Sequence, residues 1–251
     1  MLDSAARASG VDLAAETRAE IGAFMQSAFP AGDWAPQHQV IAGPAVDVIC
    51  DTAERVSADL IVLGARGMSG VERLFFGSTT EGVLRAADRS ILVVPSEWTP
   101  ARPDLADLTG TGPVVVGLEL SSPAIAAARA GSTLAALLGT SLEVVHVVPP
   151  LSVPARWSRH AEQAQASRVE TARAELASAL RHLESVSPVV AVETGTIPES
   201  LARKVAETPT RHPLLVLGRR THDERDGAPG STAYRVLSLS EAPVLMYLPD
   251  L

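Results

Sequence analysis

A single cysteine, Cys50, stands among the 251 residues, which excludes an intrachain disulfide and a cysteine-cluster metal site. It lies in the apolar run Val46-Asp47-Val48-Ile49-Cys50, with no basic neighbour beside it to lower its pKa. The expectation is a buried packing residue rather than a reactive thiol. Aromatic residues are only 4% of the chain, so the core is built from Ala, Val and Leu, as suits a layered α/β fold. Positive charge is short as well: 21 Lys and Arg against 29 Asp and Glu leave a net charge of −8. That balance argues against a nucleic-acid partner, whose phosphate backbone calls for a basic patch. The start, Met1-Leu2-Asp3-Ser4, has no basic head with an apolar run behind it, and no apolar stretch reaches the ~18 residues of a membrane span. A cytoplasmic protein without a membrane partner is expected. The six histidines lack the i, i+4 spacing of a helical metal pair, so no metal site is expected.

What is present is alternation. A helix is predicted over 4–28, with Ile21, Phe24, Met25 and Ala28 on one face. A short strand at Gln39-Val40-Ile41 follows, then a helix opened by Gly43-Pro44 and running to about Val56. Leu60-Ile61-Val62-Leu63 reads as a parallel strand covered on both faces. A Gly-rich stretch, a helix over 78–87 and a strand at 91–94 complete this part. The Pro, Asp, Thr and Gly of 95–113 make a linker. Beyond it a full set is predicted: strands at 114–116, 142–147, 189–192, 214–217 and 244–247. Helices over 123–138, 159–185 and 198–207 and one after Ser231 alternate with them. Val169, Ala172, Leu176, Leu180 and Leu183 form the buried stripe of the second of these. Such βα units imply right-handed crossovers and a parallel sheet.

The chain repeats itself. Leu60-Ile61-Val62-Leu63-Gly64-Ala65-Arg66 matches Leu214-Leu215-Val216-Leu217-Gly218-Arg219-Arg220, and Gly77-Ser78-Thr79 matches Gly230-Ser231-Thr232. Equal spacing then leads to Val83-Leu84 and Val236-Leu237. The expected organisation is an incomplete first domain over 1–97, a linker over 98–112 and a second domain over 113–251. The first copy has counterparts only of the last three strands of the second.

The stretch richest in chemistry is Gly64-Ala65-Arg66-Gly67, nine residues, then Gly77-Ser78-Thr79. It lies between a strand end and a helix start, where parallel sheets bind ligands. Glycines there let backbone approach phosphate oxygens, and helix N–H groups favour an anion. Ser78 is expected as N-cap and Thr79 as a hydroxyl on the phosphate. Glycines serving only as turns, with Ser78 only as a cap, are the plainer alternative. No Gly-x-Ser-x-Gly elbow or P-loop occurs, and no nucleophile stands beside a positioned base.

The spacing G-x2-G-x9-G-[ST] resembles the nucleotide-binding signature of the universal stress protein family. So does the text around it, from Ala58 to Gly67, and so does Gly43-Pro44-Ala45. Val115-Val116-Gly117-Leu118-Glu119-Leu120-Ser121 is similar to that family's first strand and Val144-Val145-His146-Val147 to its second. The resemblance implies a Rossmann-like, adenine nucleotide alpha hydrolase-like fold: a parallel five-stranded sheet in the order 3-2-1-4-5, in two tandem copies with the first incomplete. It also implies ATP or AMP binding in some members, through Gly64, Gly67, Gly77, Ser78 and Thr79, with Glu119 where binding members carry Asp.

Both copies depart from the pattern. The first has the loop without strands 1 and 2. The second has the strands, but Thr221 replaces a loop glycine and Asp223, Glu224 and Asp226 stand where phosphates would sit, offset by Arg219, Arg220 and Arg225. Weak or absent nucleotide binding, no catalysis and no metal are therefore expected. The candidate functions are a stress-associated nucleotide module and, as the alternative, a scaffold acting through protein contacts. A nucleotide hydrolase lacks a visible catalytic residue. The two copies are expected to pair as a pseudo-dimer, antiparallel through Ile91–Val94 and Val244–Tyr247, with a homodimer compatible. The missing opening predicts about 50–60 further residues upstream, the size of a strand–helix–strand unit.

Overall fold

The computed structural model describes residues 13–28, 36–65, 77–95, 98, 112–154, 158–183, 185–207, 213–219 and 231–249. They fall into two compact units, 1–52 and 53–251. Residues 1–52 contribute helix α1 (Leu13–Ala28) and the start of α2 (Ala45–Arg55). On α1, Ile21 and Met25 are half-buried, but Phe24 of the predicted stripe is 66% exposed. Gln39-Val40-Ile41 does not form the predicted strand. In the order 3-2-1-4-5 that segment would need strand 2 as its hydrogen-bonding neighbour, and an isolated strand leaves its backbone groups unpaired. Cys50 is half-buried rather than buried.

Among the described residues, seven strands lie within 53–251: β1 (Leu60–Gly64), β2 (Ser90–Val94), β3 (Val114–Gly117), β4 (Leu142–Val148), β5 (Val189–Thr194), β6 (Leu214–Gly218) and β7 (Val244–Tyr247). The helices are α3 (Ser78–Ala86), α4 (Ser122–Leu137), α5 (Ser158–Ala179, continued as a 3-10 turn over Leu180–His182), α6 (Ile197–Ala206) and α7 (Ser231–Leu239). The sheet order is β1-β2-β7-β6-β3-β4-β5. Its last five members are the expected 3-2-1-4-5 arrangement of one copy, all parallel. The antiparallel pairing expected of Ile91–Val94 and Val244–Tyr247 is present, and it turns the expected five-stranded parallel sheet into part of a larger one. One mixed seven-stranded sheet spans both, because β2 and β7 join antiparallel.

That junction has the symmetry of the repeat. Counting from the matched Gly-Ser-Thr triplets, Leu92 and Leu245 are equivalent residues, and they face each other; Ile91 pairs with Met246 and Val93 with Val244. A pseudo-twofold axis therefore passes through the Leu92–Leu245 pair. Further ties cross it. The Leu248 amide donates to Ser90 Oγ at 3.0 Å, and Arg219 Nη1 donates to the Arg89 carbonyl at 3.1 Å. The Arg85 guanidinium lies 6.0 Å from the Tyr234 ring centroid. Matched positions in the two copies make matched bonds: Ala65 N to Val94 O and Arg219 N to Tyr247 O, both 2.7 Å.

Helices cover the second copy on both sides. On one face, Ala124, Ala127, Ala128 and Ala135 of α4 and Leu176 and Leu180 of α5 close over Val114, Val116, Leu142, Val144 and Val216. Small residues let α4 sit close: a Cβ on Gly131 would lie 2.6 Å from Val116 Cγ2. On the other face Leu201 of α6 reaches Gly117. Charge pairs also tie α6 to the sheet, Lys204 to Glu143 of β4 at 2.8 Å and Arg203 to Glu193 of β5 at 2.6 Å. Glu193 first, then Glu207, raises the Arg203 pKa above its already high ordinary value. The guanidinium stays charged across the physiological range, so this pair supplies no pH switch.

Two helices end in the same way, with different residues. After α2, Ser57 N bonds Glu54 O and Ala58 N bonds Ala53 O; after α4, Gly139 N bonds Ala136 O and Thr140 N bonds Ala135 O. This is the Schellman arrangement, whose C′ residue is left-handed. Ser57 has φ 51° and Gly139 φ 63°. Glycine takes this conformation freely, whereas a Cβ is penalised there. Ser57→Gly is expected to stabilise by about 0.5–1 kcal/mol and Gly139→Ala to destabilise by a similar amount. Urea melts of the two variants beside the parent measure both signs.

Candidate functional site

The predicted phosphate loop is drawn shut at its ends. Ala65 leaves β1 bonded to Val94 O, and Gly77 N then donates to Ala65 O at 3.1 Å. The start of α3 is thereby fixed beside the end of β1. Gly77, with φ −61° and ψ 141°, is the N-cap of α3, and no side chain caps the helix start. Ser78 is therefore the first helical residue and not the expected cap. Gly64 and Ser78 are exposed, and Gly77 and Thr79 half-buried. An uncapped helix start beside a glycine strand end is the geometry that takes an anion. Gly67 lies outside the described residues.

Thr80, which sequence reasoning passed over, carries the most definite contact here. It is buried, and its Oγ1 donates to the Gly64 carbonyl at 2.8 Å. Its place in the first turn of a helix that returns beside β1 was the available signal. The equivalent residue of the second copy is Ala233, so the second copy has no such clamp.

Glu119 does not join this group. Since β2 runs antiparallel to β7, the carboxyl ends of β1 and β2 and those of β3 to β7 lie at opposite ends of the sheet. Gly64, Gly77, Ser78 and Thr79 stand at one end; Glu119, following β3, stands at the other. The residues that the family resemblance named for nucleotide contact thus fall in two separate places. At the second, Glu119 is exposed and accepts from Ser121 Oγ at 3.0 Å. Ser121 caps α4 by accepting from Ala124 N at 3.4 Å. His146 is half-buried, and its Nδ1 donates to Leu118 O at 2.6 Å. Arg219, expected to offset the acidic loop, reaches across to the Arg89 carbonyl of the first copy. Thr221, Asp223, Glu224, Arg225 and Asp226 lie outside the described residues.

The two strand-end glycines have different surroundings. A Cβ on Gly218 would lie 2.6 Å from the carbonyl carbon and oxygen of Pro123 and 2.7 Å from the Ala124 nitrogen, because α4 starts directly over it. Its counterpart Gly64 is exposed. The same holds one turn of pleat inward: Val216 is fully buried, and Val62 is 58% exposed. The expectation that β1 is covered on both faces is therefore corrected. The cover in the second copy is the β3–α4 unit, which the described part of the first copy lacks. Among the described residues, no group of three His, Cys, Asp or Glu could hold a metal ion. No described helix is long and apolar enough to cross a membrane.

These features define the class: a tandem α/β protein whose two copies share one sheet and turn the carboxyl ends of their strands to opposite ends of it. The sequence profile of the Universal stress protein family matches residues 1–95 and 111–247. The chain belongs to that family. A universal stress protein of Mycobacterium tuberculosis and another of Mycobacterium bovis are each 28% identical over 220 residues, which is 83% of this chain. The match spans 64% of the length of each of those relatives. Among solved structures, a Pseudomonas aeruginosa protein of unknown function is similar at a TM-score of 0.61 and 18% identity, over 93% of this chain and 78% of its own. An Archaeoglobus fulgidus universal stress protein gives 0.52 at 20% identity, over 82% and 67%.

Proposed function

We propose that this chain is a non-catalytic, stress-associated module of the cytoplasm, whose first copy keeps the phosphate-facing half of a nucleotide site and binds ATP or AMP weakly or not at all. The carrying observation is the contrast between Gly64 and Gly218. In the first copy Gly77 N bonds Ala65 O and the helix start is uncapped, but the strand–helix unit that covers Gly218 has no described counterpart over Gly64. Phosphate contacts facing solvent are screened and contribute modestly. The described part of the second copy is filled where the first is open, with α4 against Gly218 and Arg219 turned to the first copy. The alternative role, a scaffold acting through protein contacts, is favoured by the number of ties across the β2–β7 junction.

Calorimetric titration with ATP and with AMP tests the reading. Heats without saturation in the micromolar range are expected, unchanged by Gly77→Asp. Submicromolar binding that Gly77→Asp abolishes would overturn it, and steady release of phosphate from ATP would overturn its non-catalytic part.

A further inference from the structure

The β2–β7 junction is symmetric in its strands and one-sided at its flanks. Ile91 on Met246 and Val93 on Val244 are mirror pairs about Leu92 and Leu245, and all six residues are apolar. That ladder would serve equally for β7 against the β7 of another chain, or for β2 against another β2. The flanking ties would not. Leu248 N donates to Ser90 Oγ at 3.0 Å, and Ser90 Oγ lies 3.4 Å from Leu248 O. The equivalents of Ser90 and Leu248 are Pro243 and Pro95, which hold neither a hydroxyl nor an N–H. Arg219 reaches the Arg89 carbonyl at 3.1 Å, whereas its equivalent, Ala65, has no side-chain donor. The Arg85 guanidinium lies 6.0 Å from the Tyr234 ring centroid, within reach of a cation–π contact. At the place of Arg85 the second copy has Ser238, whose Oγ donates to Tyr234 O of its own helix at 2.9 Å.

We propose that Arg85, Ser90 and Arg219 make this junction selective for unlike copies, so that β7 takes β2 and refuses the β7 of a second chain. Each tie needs one member from each copy. A pair of second copies would set Pro243 beside Leu248 on both sides and Ser238 beside Tyr234. Arg219 would there meet Ala242 O, which already accepts from Ser240 Oγ at 2.9 Å. A pair of first copies would have Ala65 in place of Arg219, and Ser90 beside Pro95. Selectivity is a difference between partners, and here it comes from groups that the like pairs lack. Like pairing would also leave each chain a second edge to pair onward and so build an open assembly, whereas unlike pairing within one chain closes.

A chain with a protease site within 99–111, cut after folding, tests the proposal in a Cys50→Ser background, because pairing must then hold without the connection. Leu92 and Leu245 lie on the axis, where facing Cα atoms are about 4.5–5.5 Å apart, within disulfide reach. With both as cysteine, the two fragments are expected to cross-link to each other. With Leu245→Cys alone, two second fragments should link no faster than with Ala174→Cys on the exposed face of α5. Adding Arg85→Ala, Ser90→Ala and Arg219→Ala to Leu245→Cys raises that link about tenfold or more, since the lost ties no longer favour the unlike pair. Pro243→Ser, with the three residues intact, raises it as well by giving the like pair a hydroxyl for each Leu248 N–H. Where the triple substitution speeds Ala174→Cys linking too, the fold is lost and Pro243→Ser decides. Fragments that part on cutting overturn the proposal. So does a Leu245→Cys link already fast in the parent, or one that neither the triple substitution nor Pro243→Ser raises.

Discussion

Gly218→Ala is expected to destabilise residues 53–251 by about 3 kcal/mol, because overpacking against atoms that cannot yield lies at the upper end of its usual range. The clashing atoms are backbone: Pro123 C and O and Ala124 N, all within 2.7 Å of the new methyl group. Relief would require α4 to lift from β6, opening a face on which Ala124, Ala127 and Ala128 are buried. At the matching position of the first copy, Gly64→Ala is expected to change stability by less than about 0.5 kcal/mol, as for other exposed sites. Urea denaturation of both variants measures the difference. Equal losses would mean that Gly64 is crowded in solution and that its exposed face is covered there.

A loss of similar size is expected at the junction of the copies. Ile91 is fully buried and faces Met246 across the antiparallel pair. Ile91→Ala removes apolar contacts and leaves a cavity, at about 2–5 kcal/mol, a large share of a total that is commonly about 5–15 kcal/mol. Because β2 joins β1 to the rest of the sheet, hydrogen exchange should rise first at 60–64 and 90–94. The strands β3, β4 and β6 should keep their protection. Uniform acceleration over all seven strands would show instead that both copies unfold as one unit. Val189→Ala on the exposed edge strand is the control, expected within about 0.5 kcal/mol.

Most elements were legible because their signals are local. Val114 to Gly117 is a continuous apolar strand, and Ser121-Ser122-Pro123 starts a helix by a serine cap and an early proline. The stripe Ala172, Leu176, Leu180 is buried as its spacing requires. The strand predicted at 39–41 failed for a non-local reason: its apolar residues fit a ladder, but a ladder needs a neighbour. The helix cap moved from Ser78 to Gly77 because the N–H of Gly77 is taken by Ala65 O, which sets where the chain turns into α3. Thr80 escaped notice since its partner, Gly64, is 16 residues away. Residue type and spacing do not reveal such a contact.

What the sequence determined by itself is the alternation of strands and helices and the repeat of one unit. Hydrophobic period, caps and matched motifs act within a few turns of chain, so they can be read there. The antiparallel meeting of the two copies was expected from sequence, and the tertiary structure gives its register, with Leu92 on Leu245. Gly64 of the first copy and Glu119 of the second stand at opposite ends of the sheet because β2 and β7 meet antiparallel. The cover over Gly218 and the exposure of Val62 were decided only in the tertiary structure. Burial depends on what packs against a residue from elsewhere in the chain, and two strands that differ only at Ile61 and Leu215 end with different surfaces because their neighbours differ.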